Sequence, residues 1–238
     1  MSNFVYYRLL DACREDGCPV CRVEQHSVER YLENQFYENV NSPGWRDRLR
    51  PSLGFCHEHA WLAVDRRLGD ALGLSIIYRD ILNSILRKLD EAGNPARSTR
   101  SWASFLRQVP EQARTLLGTM VAAMTPAARC PVCEHREEAS RLILSELADG
   151  LKKQELLEAL RSSQGLCLPH LRLSLADSRN MAASEELLFI HREKMAGLRA
   201  ELEEYIRKSD YQEIEAGFGT EGDAWLRAIA LVAGKRRK

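Results

Sequence analysis

The sequence lacks the features that define several broad classes of protein. Its 238 residues include 34 Lys plus Arg and 34 Asp plus Glu, so it has no net charge and none of the strong basicity of a dedicated nucleic-acid binder. No apolar run approaches the roughly 20 residues that a bilayer span needs. The first sixteen residues have neither the basic start nor the unbroken apolar stretch of a signal peptide. We therefore expect a cytoplasmic protein that binds neither membrane nor nucleic acid.

Signatures of catalysis and of β-structure are also missing. The chain has no glycine-rich phosphate loop, no HExxH sequence and no nucleophile elbow. Its carboxylates occur in runs such as Glu201–Glu204, which are typical of solvated helix faces. No stretch alternates with period two for long, whereas apolar residues recur three and four apart throughout. The sequence thus predicts an all-α protein and leaves the question of an enzyme open, with a non-catalytic role favoured.

The predicted helices cover most of the chain. They are Val20–Val40, His57–Glu91 with a bend at Gly69 or Gly73, Ser101–Met124, Glu134–Leu147, Leu168–Lys208 with an interruption near Asp177–Asn180, and Ala224–Ala233.

A duplication organises the sequence. The tetrapeptide CPVC at Cys18–Cys21 recurs at Cys130–Cys133, and LRPSLGFCHEHA from Leu49 is matched at six of twelve positions by LRSSQGLCLPHL from Leu160. In the same register, Ile76–Tyr78 falls on Leu187–Phe189. These matches predict four segments: a first repeat over 1–95, a linker and bridging helix over 96–124, a second repeat over 125–210, and a C-terminal helix with a basic tail over 211–238.

Cysteine and histidine carry the chemistry of this pattern. Each repeat presents Cys-x2-Cys and, after 34 or 33 residues, Cys-x2-His. Three thiolates and one imidazole form the closed tetrahedral set that structural zinc prefers. We expect two zinc ions per chain, each joining the starts of two helices in its own repeat. The predicted ligands are Cys18, Cys21, Cys56 and His59 in the first repeat, and Cys130, Cys133, Cys167 and His170 in the second.

Three other interpretations use the same residues. CPVC has the spacing of thioredoxin-like redox sites, but no strand precedes it, as that context requires. Cys13 together with Cys18, Cys21 and Cys56 resembles the spacing of a plant-type iron–sulfur cluster, yet Thr125 stands where the second repeat would need its own copy of Cys13. An iron–sulfur cluster stays an alternative cofactor, with Cys13 interpreted as an extra thiol. A zinc-held redox switch also stays open.

Two further features bear on partners. His26, His57, His135 and His191 lack paired counterparts and are not assigned as ligands. Residues of the second repeat form a heptad stripe, which favours packing inside the monomer and leaves a homodimer as the alternative. The stripe consists of Leu188, His191, Met195, Leu198, Leu202 and Tyr205.

The combination of CPVC, SLGFCHEHAW, GLSIIYRDIL and a second CPVC with GLCLPHL resembles an uncharacterised bacterial family, domain of unknown function 6062. The resemblance implies a bacterial protein and supports the ligand assignment, but it implies no substrate or partner. Two functions therefore remain: a zinc-stabilised scaffold or regulator that binds another protein, and a thiol-based redox or metal sensor.

Overall fold

The computed structural model describes residues 3–93, 110–176, 181–209 and 217–234. These residues form eleven α-helices, a short 3-10 helix and no strand, which confirms the all-α prediction for the described chain. The helices are α1 Asn3–Cys13, α2 Pro19–Glu38, α3 Pro43–Leu49, α4 His57–Asp65, α5 Ala71–Gly93, α6 Pro110–Ala123, α7 Pro131–Gly150, α8 Gln154–Ser162, α9 Leu168–Ala176, α10 Met181–Lys208 and α11 Ala224–Ala233, and the 3-10 helix is Thr220–Asp223. None of the described helices combines the length and the apolarity that crossing a bilayer requires.

The single long helix predicted from His57 to Glu91 is wrong. The helix stops at Asp65, Arg67 adopts a positive φ of 53°, and a new helix starts at Ala71. Gly69 lies between them, and a Cβ there would come within 2.6 Å of the Phe36 ring. The break therefore falls at one of the two glycines where a bend was expected. The predicted interruption over 177–180 and the first part of the bridging helix, 101–109, lie outside the described residues.

The order of the helices repeats along the chain. The five helices α1–α5 correspond to α6–α10, with α3 and α8 each preceding the GxCxxH segment that opens α4 or α9. The residue offset between the two repeats changes by one more position in the last pair of helices, α5 and α10. The buried residues Ile77 and Ile81 of α5 match the buried residues Leu187 and His191 of α10. The predicted register of Ile76–Tyr78 on Leu187–Phe189 is therefore wrong by one residue in the structure.

The chain divides into two compact units that are not the two sequence repeats. Unit 1 contains residues up to Ser27 and those from Arg136 onward, and unit 2 contains Val28–His135. Each unit therefore combines the first helix and CPVC turn of one repeat with the later helices of the other. The four-segment division along the sequence stays a prediction.

Each unit has its own apolar core. In unit 1 it includes Leu9, Leu147, Leu160 and Leu187, all at most 1% exposed. In unit 2 the corresponding core is built from residues of α2, α3, α5 and the second CPVC turn: Leu32, Leu49, Ile77 and Val132. Full burial of such a side chain stabilises a fold by about 1.5–3 kcal/mol. The buried valine of each CPVC turn, Val20 or Val132, anchors that turn in the core beside the cysteines.

Candidate metal centres

The eight predicted ligands converge in two groups of four, in which every ligand atom lies within 4.8 Å of the others. We call Cys18, Cys21, Cys167 and His170 centre A, and Cys56, His59, Cys130 and Cys133 centre B. The expectation that each repeat closes its own site is wrong: each centre joins the CPVC of one repeat to the CxxH of the other. Centre A lies in unit 1 and centre B in unit 2.

Helix starts position the ligands of both centres. In centre A, Cys18 precedes α2 and Cys21 lies in its first turn, while Cys167 and His170 have the same relation to α9. The His170 Nδ1 atom lies 3.6 Å from the sulfur of Cys18, 3.3 Å from that of Cys21 and 3.2 Å from that of Cys167. The sulfurs of Cys21 and Cys167 are 3.6 Å apart. All four ligand atoms therefore surround one point.

Centre B repeats this arrangement at the starts of α7 and α4. The His59 Nδ1 atom lies 3.1 Å from the sulfur of Cys56, 3.8 Å from that of Cys130 and 3.4 Å from that of Cys133. The sulfurs of Cys56 and Cys133 are 3.6 Å apart. Both centres thus use the same histidine nitrogen and nearly the same edge lengths.

These separations fit a tetrahedral metal site. With metal–sulfur bonds of about 2.3 Å and metal–nitrogen bonds of about 2.0–2.1 Å, the edges are about 3.8 Å between sulfurs and about 3.6 Å between sulfur and nitrogen. A disulfide would need the sulfurs about 2.05 Å apart, and all seven cysteines are free. Two Cys/His clusters that can hold metal ions are therefore present.

The surroundings of the thiols favour a bound cation. Burial raises the pKa of Cys130, while hydrogen bonds from the backbone amides of Cys56, Cys133 and Val132 act to lower it. In centre A, burial raises the pKa of Cys18, whereas hydrogen bonds from the thiols of Cys18 and Cys21 lower the pKa of Cys167. Burial therefore disfavours three thiolates that have no counter-ion. A divalent cation would displace the thiol protons and offset two of the three negative charges.

A buried carboxylate lies near the outer ring nitrogen of the histidine in centre A. Glu24, on α2, is 6% exposed, and its Oε2 atom lies 3.9 Å from the Nε2 atom of His170. A carboxylate near the outer ring nitrogen orients a metal-bound imidazole and raises its basicity. Glu24 is three residues after Cys21, where the second repeat has Arg136, so the two centres differ at this position.

Glycines form the turns that lead into the two CxxH segments. Gly54 and Gly165 have φ values of 93° and 80°, a region that favours glycine. Before each of them a serine closes the turn: the Ser52 hydroxyl donates to a backbone carbonyl, and the Ser163 hydroxyl accepts from the Gly165 amide at 3.0 Å. Both glycines therefore allow a tight turn two residues before the ligand cysteine of each CxxH segment.

His191 is a functional residue that the sequence analysis missed. It is 1% exposed, its Nδ1 lies 2.6 Å from the Leu187 carbonyl oxygen, and its Nε2 accepts the Leu166 amide at 2.7 Å. The ring is therefore neutral, and burial lowers its pKa. Because Leu166 immediately precedes Cys167, His191 positions a ligand of centre A. The available signal was a lone histidine in an otherwise apolar heptad stripe.

Replacing Gly165 with Ala is expected to lower the free energy of unfolding of the metal-loaded protein by about 1–3 kcal/mol, because an L residue is strained at positive φ. The added Cβ would also lie 2.9 Å from Lys194 Cδ and 3.1 Å from His191 Nε2. Denaturant unfolding followed by circular dichroism measures the change.

Gly197→Ala is the matched control. Gly197 lies inside α10, and a Cβ there meets nothing within 4 Å. Alanine should therefore raise the free energy of unfolding by about 0.5–1 kcal/mol. Equal effects of the two substitutions would contradict the special role of the Gly165 turn.

The remaining candidates lie outside both centres. Cys13 is 5% exposed in the core of unit 1, and burial raises the pKa of its thiol to about 11, so it is an extra thiol beside centre A. His135 stacks on Tyr31 at a ring-centroid distance of 4.1 Å. Neither they nor His26 and His57 belong to a four-residue group.

A cavity of about 290 Å³ lies against centre A. Its lining includes Cys18 and Cys167, as well as Lys194 and Arg227. These two cations are already engaged: Lys194 donates to the Arg161 carbonyl at 2.7 Å, and Arg227 pairs with Asp223 and Glu201. The cavity therefore adjoins two ligand residues that are themselves buried, Cys18 at 4% and Cys167 at 1% exposure, and both of its cations have partners.

Fold and centres together define an all-helical protein with two candidate Cys3His metal clusters. The chain belongs to the Family of unknown function (DUF6062), whose model matches residues 4–238, as the resemblance implied. It is also similar to an "Uncharacterized 23.9 kDa protein in xynA 3'region" of Caldicellulosiruptor sp. (strain Rt8B.4), with 25% identity over 231 residues that cover 95% of this chain and 99% of that protein. No solved structure matches the chain.

Proposed function

We propose that this protein is a non-catalytic bacterial scaffold or regulator in the cytoplasm, held in shape by two structural zinc ions. The observation that carries the proposal is the closed donor set of each centre: three sulfurs and one nitrogen occupy all four tetrahedral positions. Catalytic zinc sites keep a position for water or substrate, whereas structural sites do not. An iron–sulfur cluster stays the alternative cofactor.

The partner that we propose is another protein, bound through the helical surfaces. A homodimer through the stripe from Leu188 to Tyr205 stays a second possibility. Part of that stripe has contacts within unit 1, since Met195 packs against its core and Tyr205 stacks on Phe218 at 4.7 Å. Leu188 is 46% exposed and is available to a second chain.

The second candidate function is a thiol-based sensor that releases zinc on oxidation. It is favoured by the partial exposure of Cys21, Cys56 and Cys133 and by the cavity against Cys18 and Cys167. Oxidation requires both thiolate character and access. The other three ligand cysteines, Cys18, Cys130 and Cys167, are buried, however, and none of the six is fully exposed, which supports the structural role more strongly.

Mild peroxide treatment of the zinc-loaded protein separates the two functions. With a colorimetric zinc chelator present, the scaffold is expected to release less than one tenth of its zinc in the time that a free thiol takes to oxidise completely, because buried sulfurs react slowly. Reduced glutathione in a parallel sample sets that time. Prompt release of one or two zinc ions per chain would contradict the scaffold and support the sensor.

A further inference from the structure

Helix α11 exposes its apolar side chains and keeps its one charge close to the protein. Among its ten residues only Arg227 is charged, and it pairs with Asp223 and with Glu201 of α10. The solvent-facing side chains are apolar and 46–59% exposed: Trp225, Leu226, Ile229 and Val232. This is the reverse of a surface helix, whose outer face is ordinarily polar. We call these four side chains the α11 face.

Contacts at both ends of helix α11 fix the side of the helix that faces solvent. Ala224, at its first position, is fully buried, and Leu231 lines the cavity against centre A. At its other end, the amide of Gly234 donates to the Ala230 carbonyl at 3.0 Å. A Cβ added at Gly234 would lie 3.7 Å from the Cys167 sulfur and 3.9 Å from that of Cys21. The backbone therefore packs directly on centre A and holds the α11 face outward.

A run of positive charge follows helix α11 in the sequence. Directly after Gly234 come the four consecutive cations Lys235, Arg236, Arg237 and Lys238. The whole chain is neutral, so this run is a local concentration of charge rather than a reflection of composition. An apolar helix face that is followed in the sequence by four cations fits a partner that is both apolar and anionic.

We propose that the α11 face and the basic run bind the surface of a bilayer that contains anionic lipids. A tryptophan with aliphatic neighbours suits the boundary between headgroups and acyl chains, whereas a phosphate backbone offers Ile229 and Val232 nothing to contact. A second copy of the chain would present the same apolar face and the same run of four cations, so it lacks the anionic complement that a lipid surface provides. The expectation of no membrane partner rested on the lack of a spanning segment, and lying on a surface needs none. The proposal is independent of the scaffold role.

The test is co-sedimentation of the full-length, metal-loaded protein with vesicles. Binding is expected to vesicles of phosphatidylcholine with 30 mol% phosphatidylglycerol, and not to phosphatidylcholine alone. Replacing all four cations of the run with Ala should weaken binding at least about tenfold, since each basic residue near an anionic surface contributes about fivefold. The double substitution Trp225→Ser and Ile229→Ser should weaken it by a similar factor.

A matched control keeps the result specific. Leu82 and Leu86 lie four residues apart on α5 and are each 57% exposed, so Leu82→Ser with Leu86→Ser removes similar apolar surface without affecting vesicle binding. Circular dichroism and metal content verify that each variant is folded. The proposal is overturned if the α11 variants bind vesicles as well as the parent does. It is also overturned if they abolish a dimer seen by analytical ultracentrifugation, or duplex DNA binding, instead of vesicle binding.

Discussion

A variant that lacks all four ligands of centre A is expected to bind one metal ion per chain, whereas the parent is expected to bind two. The substitutions are Cys18→Ser, Cys21→Ser, Cys167→Ser and His170→Ala. They come from both repeats but remove one centre, because these four side chains share one cluster. Centre B keeps its complete ligand set inside unit 2. Metal analysis of the purified variant gives the number directly.

A second quadruple variant has the opposite outcome. Replacing Cys18, Cys21, Cys56 and His59 removes half of each centre, so no metal ion should remain bound. If each repeat closed its own site, the first variant would lose both ions and the second would keep one. The two pairings of the segments therefore predict opposite numbers of bound metal ions for the two variants. The double variant of Cys18 and Cys21 loses one ion under either pairing and serves as the reference for partial unfolding.

Removal of metal from the parent is expected to unfold it. Structural zinc contributes an apparent binding free energy of about 10–16 kcal/mol at neutral pH, whereas the net stability of a native protein is typically about 5–15 kcal/mol. Each centre joins segments far apart in sequence, such as Cys21 and His170, which are separated by 149 positions. Incubation with a strong chelator should therefore abolish the cooperative thermal transition and reduce the far-ultraviolet helical signal.

Added zinc should restore both signals if the loss is caused by the metal and not by the chelator. A metal-free chain with unchanged helicity and melting temperature would show that the apolar cores are sufficient alone. The apolar cores also contribute to the stability of the fold, since residues such as Leu9, Leu156 and Leu160 are fully buried. The experiment therefore measures which contribution dominates.

The sequence was sufficient to predict the helical class and the eight residues that converge in the two centres, because each follows from local spacing. Period 3.6, the two CPVC turns and the two CxxH segments are all visible within short windows. The pairing of the segments could not be read in the same way, because both repeats carry nearly the same spacing and either partition completes a tetrahedron. The available signal was the length of α2: twenty helical residues extend about 30 Å and lead the chain away from its own CPVC turn.

The role of His191 was hidden for a related reason. The heptad position of His191 predicts an apolar contact. Its counterpart in the first repeat, Ile81, is apolar and lies so near Gly54 that a Cβ added to this glycine would be 2.9 Å from Ile81 Cδ1. In the second repeat the imidazole takes the same place beside Gly165 and adds a hydrogen bond to the Leu166 amide. The spacing of apolar residues in the sequence shows which positions are buried. Only the neighbours in three dimensions show which buried side chain forms a hydrogen bond.

The exchanged pairing also sets an order of events during synthesis. The last ligand of centre B is Cys133, within the continuous segment Val28–His135, whereas centre A awaits Cys167 and His170. At about 5–20 residues per second, Cys18 and Cys21 emerge roughly seven to thirty seconds before their partners. Unit 2 can thus fold before the later helices of unit 1 have been synthesised. The first CPVC thiols are consequently the ligands that wait longest in a growing chain, exposed to competing metals and oxidants.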